Sequence, residues 1–512
     1  MHLSTLKKTA IWITLLALFL KLSGFLRESI VARQFGATEF TDGYLLAFSF
    51  ITLIVAMISG GFNNVFLPMY VKHKKDRAEE TERNANGVMN ATVMIFLVVS
   101  VVGAIFVPYF VPFIFGNMSP TTEEVAVKMT RLFFYAMSGI ALNGILESYL
   151  QGRRIFVPAQ ISKILATLMG AVFAILFSEQ MGIYSLGYGF IFGTVVGIFI
   201  QFYYLLKSGF SWSPTLLVET DFRKAFIALI IPSLLNSVVG QINMFVNKAF
   251  ASGTGDGAVT YLNNASLLVA IPNTIYATTI AAIIFTLLSE QVDDKKKFQN
   301  TMHMGMMISL VTLLPIAVGL FLLGKEALTF IYQGGEFTAA DTQNTYIALV
   351  LYLPMIVAQG LQFIVSKSMY ARGKTATIFK ISVTTIALNA LLNWLIVDDL
   401  GYPGLAVTSS AVAIYYLTIS SIVVYKDFER SEITRLLTLF VRVLVPTLLM
   451  AVPIYLLKEF TIVGELHYLI RLVGLGLLGV VLYVAGLYLF YREAFRQLLA
   501  LVRRKKGQPN KS

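Results

Sequence analysis

The sequence predicts an all-α integral membrane protein of 14 transmembrane helices, built as two six-helix lobes with pseudo-twofold symmetry plus two C-terminal helices. Three observations predict it. Mean hydropathy is +0.74, with 57% hydrophobic and only 13% charged residues, against about 45–50% apolar and about 25% charged residues in soluble domains. Long apolar runs recur along the whole 512 residues with short polar connections between them. The cations in those connections alternate between many and few, as the two sides of a membrane demand.

Each run meets the roughly 20 residues needed to cross about 30 Å of hydrocarbon. The first, 9–34, follows Lys7-Lys8 and lacks a small-residue cleavage site, so it reads as a helix that stays. Spans 42–70 and 87–112 flank the basic stretch KHKKDRAEETER. Spans 124–150 and 156–178 meet at Arg153-Arg154, and 182–206 closes the first half. The second half reads 224–250, 258–289, 299–323, 341–371, 375–397 and 403–425. Two further spans, 436–457 and 467–491, lead into a basic tail. The domain expectation is therefore an N-lobe at 1–208, a C-lobe at 209–426, a helix pair at 427–491 and a cytoplasmic tail at 492–512.

With the N-terminus inside, the inner segments carry 27 Lys and Arg and the outer ones 4. A miscounted span inverts every later loop and destroys that asymmetry, so both termini are expected in the cytoplasm. Sliding the halves by about 217 residues aligns FIF at 113–115 with FIY at 330–332. It also aligns YLQGRR from Tyr149 with YARGKT from Tyr370, and GIYSL from Gly182 with GYPGL from Gly401. RQFGATEFTDG, ending at Gly43, meets KAFASGTGDG, ending at Gly257. An even number of spans per repeat enters the membrane from one side, an arrangement typical of transporters.

Enzyme chemistry finds little support. The histidines, His2, His73, His303 and His467, show no metal-ligand spacing, and the chain has no cysteine. No phosphate-binding GxxxxGK[ST] occurs, and the GxGxxG at Gly474, Gly476 and Gly479 lies inside the last span rather than between a strand and a helix. Nucleic acid, metal and resident cofactor are not expected. The charges inside spans carry more information. Lys128, Arg131, Arg442 and Arg471 lie close enough to span ends to snorkel. Lys163, Lys367 and Lys380 lie near inner ends, where snorkelling and lining an inward-open cavity are both open to them. Lys21 lies roughly 18 Å into the first span, Arg27 about 9 Å further, with Ser23-Gly24 between them. A cation at that depth costs roughly 2.5–3.5 kcal/mol, which either an anionic substrate in a cationic cavity or a structural ion-pair network offsets. Glu28 is a partial counter-ion for Lys21, and Asp42 an outer-side partner that holds one state.

The stretch KLSGFLRESIVARQFGATEFTDGYLLAF, followed by GGFNNVFLPMY, resembles the opening of the MurJ/MviN family within the multidrug/oligosaccharidyl-lipid/polysaccharide exporter superfamily. The resemblance implies a flippase that moves lipid II, the undecaprenyl-diphosphate-linked peptidoglycan precursor, from the inner to the outer leaflet of the cell membrane. By position it makes Lys21, Arg27 and Asp42 substrate-site residues; the depth of Lys163, Lys367 and Lys380, not the resemblance, makes those three candidate inner-side helpers. It gives the last two spans a groove for the polyprenyl tail, and names membrane lipids and the cell-wall synthesis machinery as partners. The chain departs from the family where ITLIVAMISGG lacks an arginine and places Ser59 at an acidic position, and where YLNNASLLVAIP reaches Pro272 without a cation. At the family's C-lobe sodium site it offers only Asn236, Asn389 and Asn393, with Thr408 nearby. Coupling to sodium, to protons or to the membrane potential is left open. Two alternatives stand beside lipid II: a capsule, teichuronic or exopolysaccharide repeat unit as cargo, and a cation-coupled drug exporter.

Overall fold

The computed structural model describes residues 3–504; a few side chains in the first, ninth, tenth and last helices, Asn236 among them, lie outside the described residues. The helices are α1 (Leu3–Phe35), α2 (Glu39–Asn64), α3 (Phe66–Lys74), α4 (Ala78–Phe115), α5 (Pro120–Tyr135), α6 (Met137–Gly152), α7 (Val157–Met181) and α8 (Tyr184–Lys207). They continue with α9 (Thr220–Ala251), α10 (Ala258–Glu290), α11 (Lys295–Ile331), α12 (Ala339–Ala371), α13 (Thr375–Tyr425), α14 (Arg430–Phe460), α15 (Tyr468–Phe490) and α16 (Arg492–Arg504). No strand occurs among the described residues beyond a single Gly334–Phe337 bridge.

Every expected span falls on these helices; two are broken internally and two are joined into one helix. The second is α2 plus α3, interrupted at Val65, where Pro68 three residues on has no N–H to continue the ladder. The fourth is α5 plus α6, bent by 56° at Ala136. The eleventh and twelfth form one α13, whose turn is made by Gly401 at φ 61 and ψ -150, a conformation open to glycine. Among the described residues nine helices are long and apolar enough to cross a bilayer, ten with the bent pair. Helix ends are capped as their sequences suggest. Ser119 accepts from Thr122 N ahead of Pro120, Asp294 from Lys297 N, and Thr338 with Asp341 forms a capping box.

Packing divides the chain into two compact units, Met1–Thr260 with Gly334–Phe337, and Tyr261–Gln333 with Thr338–Ser512. The first therefore takes in α9, beyond the position-208 boundary drawn from sequence. The reason is close approach: a Cβ at Gly60 or Gly61 of α2 would overlap Ser237 or Leu234 of α9. These two glycines are contact points. In the second unit α14 and α15 pack on α11, and Tyr483 Oη donates to Val311 O at 2.6 Å.

Inside the first unit α7 and α8 make the most intimate pair. Gly189, Gly193 and Gly197 recur every fourth residue and let α8 press onto the backbone of α7; a Cβ at Gly193 would come within 2.7 Å of the Leu165 carbonyl carbon. Backbone cannot step aside as a side chain can. Gly193→Leu is expected to cost about 1–3 kcal/mol or more by overpacking, read as a lowered unfolding temperature in detergent. An unchanged temperature would contradict this packing.

The aligned YLQGRR and YARGKT landmarks perform one task in each unit. Arg153 pairs with Glu82 at 2.7 Å, its guanidinium 5.3 Å from the Tyr149 ring centroid and 5.9 Å from that of Phe210. Arg372 pairs with Asp427 at 3.4 Å and lies 4.4 and 4.9 Å from the rings of Phe298 and Phe428. The hydrogen bond from Lys374, reinforced by Arg372, holds the Asp427 carboxyl below its ordinary range.

Candidate substrate-binding site

α1 runs unbroken through Ser23-Gly24, the Ser23 hydroxyl donating back to Leu20 O at 2.8 Å. Lys21 and Arg27 therefore belong to one helix, six residues apart, and meet different surroundings. Lys21 is exposed and has no ion pair or hydrogen bond among the described residues. Arg27 is 12% exposed in its side chain, bonded to Glu28 and stacked 4.2 Å from the centroid of Phe48. That ring is itself wedged between Tyr44, Phe133 and Phe190. The charge on Arg27 is thus matched by a buried carboxylate and a π face. Glu28, expected beside Lys21, bonds Arg27.

Asp42 is buried at the start of α2, and its carboxylate faces the first turn of α10. Oδ1 accepts from Thr260 N at 2.9 Å and from Thr260 Oγ1 at 2.6 Å, and Oδ2 from Val259 N at 3.4 Å. It is a cap supplied from another helix, an anion on the positive end of the helix dipole. Asp42→Ala strips those N–H groups of their acceptor and is expected to cost about 1–2 kcal/mol. The check is hydrogen exchange at 258–261, which should accelerate; unchanged protection would remove the capping role.

Lys163 donates to Glu147 Oε1 at 2.5 Å, and Gln151 Nε2 reaches the same oxygen at 3.1 Å. Lys367 is half-buried, 4.9 Å from the Phe285 ring centroid, whereas Lys380 is exposed. Neither has a carboxylate partner among the described residues. The six positions therefore separate by charge balance. Lys21, Lys367 and Lys380 are uncompensated; Arg27 and Lys163 are paired; Asp42 is committed to backbone. Of the weak cation positions, Thr408 donates to Asn393 across the two arms of α13, with Asn389 buried one turn from Asn393. Asn236 lies outside the described side chains. No group of three or more His, Asp or Glu able to hold a metal occurs among the described residues.

Residues overlooked in the sequence complete the picture. Glu147, 4% exposed inside an apolar span, signals by its burial that a partner must exist. Lys248, one of the four outer cations by sequence, is 8% exposed, donates to Ser49 Oγ at 2.8 Å, and lies within electrostatic reach of Glu28, Arg27 and Asp42. Arg471 and Lys458 flank buried Glu326 at 3.5 and 3.0 Å, so Arg471 has an internal partner where snorkelling was expected.

The sequence pattern of the family described as "Lipid II flippase MurJ" matches residues 31–474. The chain belongs to this family. The match spans Asp42, Lys163, Lys367 and Lys380, begins after Lys21, Arg27 and Glu28, and assigns a role to none of them. Among MurJ relatives, a probable lipid II flippase of Buchnera aphidicola is 24% identical, covering 91% of this chain and 94% of its own. The lipid II flippase MurJ of Burkholderia cenocepacia is 24% identical over 76% of this chain and 78% of its own. A solved MurJ in an inward closed conformation has a TM-score of 0.80 at 24% identity, covering 94% of this chain and 99% of that one. An inward-facing multidrug resistance MATE transporter of the MOP superfamily follows at 0.67 and 13% identity, covering 82% and 94%. These likenesses show the fold: a multi-pass helical membrane protein of the MurJ type.

Proposed function

We propose that this chain flips lipid II from the cytoplasmic to the outer leaflet of the bacterial cell membrane, with both termini cytoplasmic. Family membership across residues 31–474 carries the reading. The chemistry agrees with it. A diphosphate sugar cannot cross hydrocarbon because its polar groups lose their water, and a hydrated surface lined by uncompensated cations replaces that water. In the first unit Lys21 is such a cation, and in the second Lys367 and Lys380 are. Arg27, in its π-backed pair, holds a guanidinium suited to bidentate phosphate contact once Glu28 is displaced. The polyprenyl tail remains in lipid along α14 and α15, whose outward faces expose Leu437, Val441, Leu477 and Val480. The headgroup site is exposed to the two sides alternately, and sodium, protons or the membrane potential drives the cycle, the potential being worth about 2.3 kcal/mol per unit charge per 100 mV.

The test is complementation in a bacterium depleted of its own lipid II flippases, with outer-leaflet lipid II measured alongside survival. Rescue with restored surface lipid II is expected. One observation favours a second reading: the run 261–272 on α10 carries no cation. Failure of rescue by a protein shown to reach the membrane would move the assignment to another polyprenyl-linked saccharide, such as a capsule or exopolysaccharide unit.

A further inference from the structure

A cavity of about 480 Å³ opens in the second unit, at the end where α11 and α14 begin and α15 finishes. One wall is a polar stripe on α14: Arg435, Thr438 and Arg442, three or four residues apart and hence on one face. His303 of α11 and Tyr491 and Glu493 at the α15–α16 corner complete it. A smaller adjoining space of about 250 Å³ reaches Gln497, whose Oε1 is buried without a partner.

The two arginines are not equally engaged. Arg435 donates to Asn300 Oδ1 at 2.8 Å and meets Glu432 at 3.4 Å. Arg442 is exposed, lies 5.8 Å from the Tyr491 ring centroid, and has no carboxylate partner among the described residues. It lies about 9 Å inside the start of its span. A guanidinium at that depth is costly unless it meets water or an anion. Seven residues separate it from Arg435, about 10.5 Å along the axis, so two long side chains converge on a group placed at Thr438.

The surroundings are those of a lipid. On α14, Leu437, Val441 and Leu444 beside the stripe are exposed, a surface for acyl chains. α16 follows with Ala494 buried and Arg492 and Arg496 exposed, and its strong segregation of apolar and basic residues is that of a helix lying in the membrane interface. We propose that this cavity holds the phosphate of a membrane phospholipid headgroup between Arg435 and Arg442, with the Thr438 hydroxyl as a further donor and the acyl chains along α14. The headgroup site is distinct from the cations assigned above to the flipped substrate, while the acyl chains share the α14 face assigned to its tail.

The experiment uses the full-length protein, purified and delipidated in a neutral detergent. Its unfolding temperature is followed while dioctanoyl phosphatidylglycerol, dioctanoylglycerol or inorganic phosphate is titrated in. Saturable stabilisation by phosphatidylglycerol alone is expected, because only that probe supplies phosphate and chains together. Arg442→Gln is expected to raise the half-saturating concentration at least about tenfold, as the loss of a charged hydrogen bond does, and Thr438→Val by less. Arg430→Gln, outside the cavity, leaves it unchanged. Equal stabilisation by dioctanoylglycerol would show that phosphate is not recognised, and equal stabilisation by inorganic phosphate that no lipid is. Either result overturns the proposal, as does a wild-type response from Arg442→Gln. Arg442 makes no ion pair among the described residues that its loss would break, so its variant remains informative if Arg435→Gln does not fold.

Discussion

Lys21→Ala is expected to reduce lipid II flipping by about ten- to a hundredfold while leaving the folded protein at least as stable as before. The two halves of that expectation come from one observation. Lys21 is exposed, deep along α1, and has neither ion pair nor hydrogen bond among the described residues. An uncompensated charge near the bilayer centre costs roughly 2.5–3.5 kcal/mol, so deleting it removes a liability from the resting protein. The same charge meeting a diphosphate makes a charge-assisted contact of about 1.5–3 kcal/mol, and each 1.4 kcal/mol is about tenfold. Lys21→Arg keeps the charge and is expected to keep most of the activity. Surface lipid II, measured by cleavage with an externally added enzyme, gives the first readout, and unfolding temperature the second. Normal flipping by Lys21→Ala would end its role in binding. A large fall in unfolding temperature would make Lys21 a structural residue instead.

What could be read in the sequence was governed by range. Apolar runs, caps and turn glycines are local, and all fourteen spans fall where the hydropathy pattern put them. Gly401 marks the turn inside α13 through its left-handed backbone, and the aligned basic motifs after α6 and α12 anchor equivalent arginine–aromatic staples. Partners were harder to see. Glu147 meets Lys163 across two helices, and Glu82 gathers Tyr70, Tyr149 and Arg153 from far along the chain. Hydropathy counts such carboxylates only as interruptions. Asp42 shows the same limit: its position at the start of α2 is evident, but its ligands are backbone N–H groups more than two hundred residues away, which no side-chain pattern reports. The breaks at Val65 and Ala136 escaped because each interrupts a span without interrupting its apolar pattern.

Arg27→Ala is expected to destabilise the protein by up to about 3–5 kcal/mol, since it removes one partner of Glu28, a carboxylate only 3% exposed in a low-dielectric interior. Lys248, within electrostatic reach of Glu28, offsets part of that cost, so the lower end of the range is expected. Glu28→Gln leaves Arg27 with its Phe48 face and is expected to cost less. The double variant Arg27→Ala, Glu28→Gln removes both charges and should regain about 1–3 kcal/mol relative to the sum of the single changes. Additive single and double effects in detergent unfolding would deny the pair any coupling. The double variant also separates folding from transport. Its fold no longer contains a buried carboxylate that has lost its Arg27 pair, so whatever flipping it lacks belongs to the guanidinium as a phosphate ligand. If it flips as the wild type does, Arg27 serves only to neutralise Glu28, and the cations that carry the headgroup are those left uncompensated, Lys21 first among them.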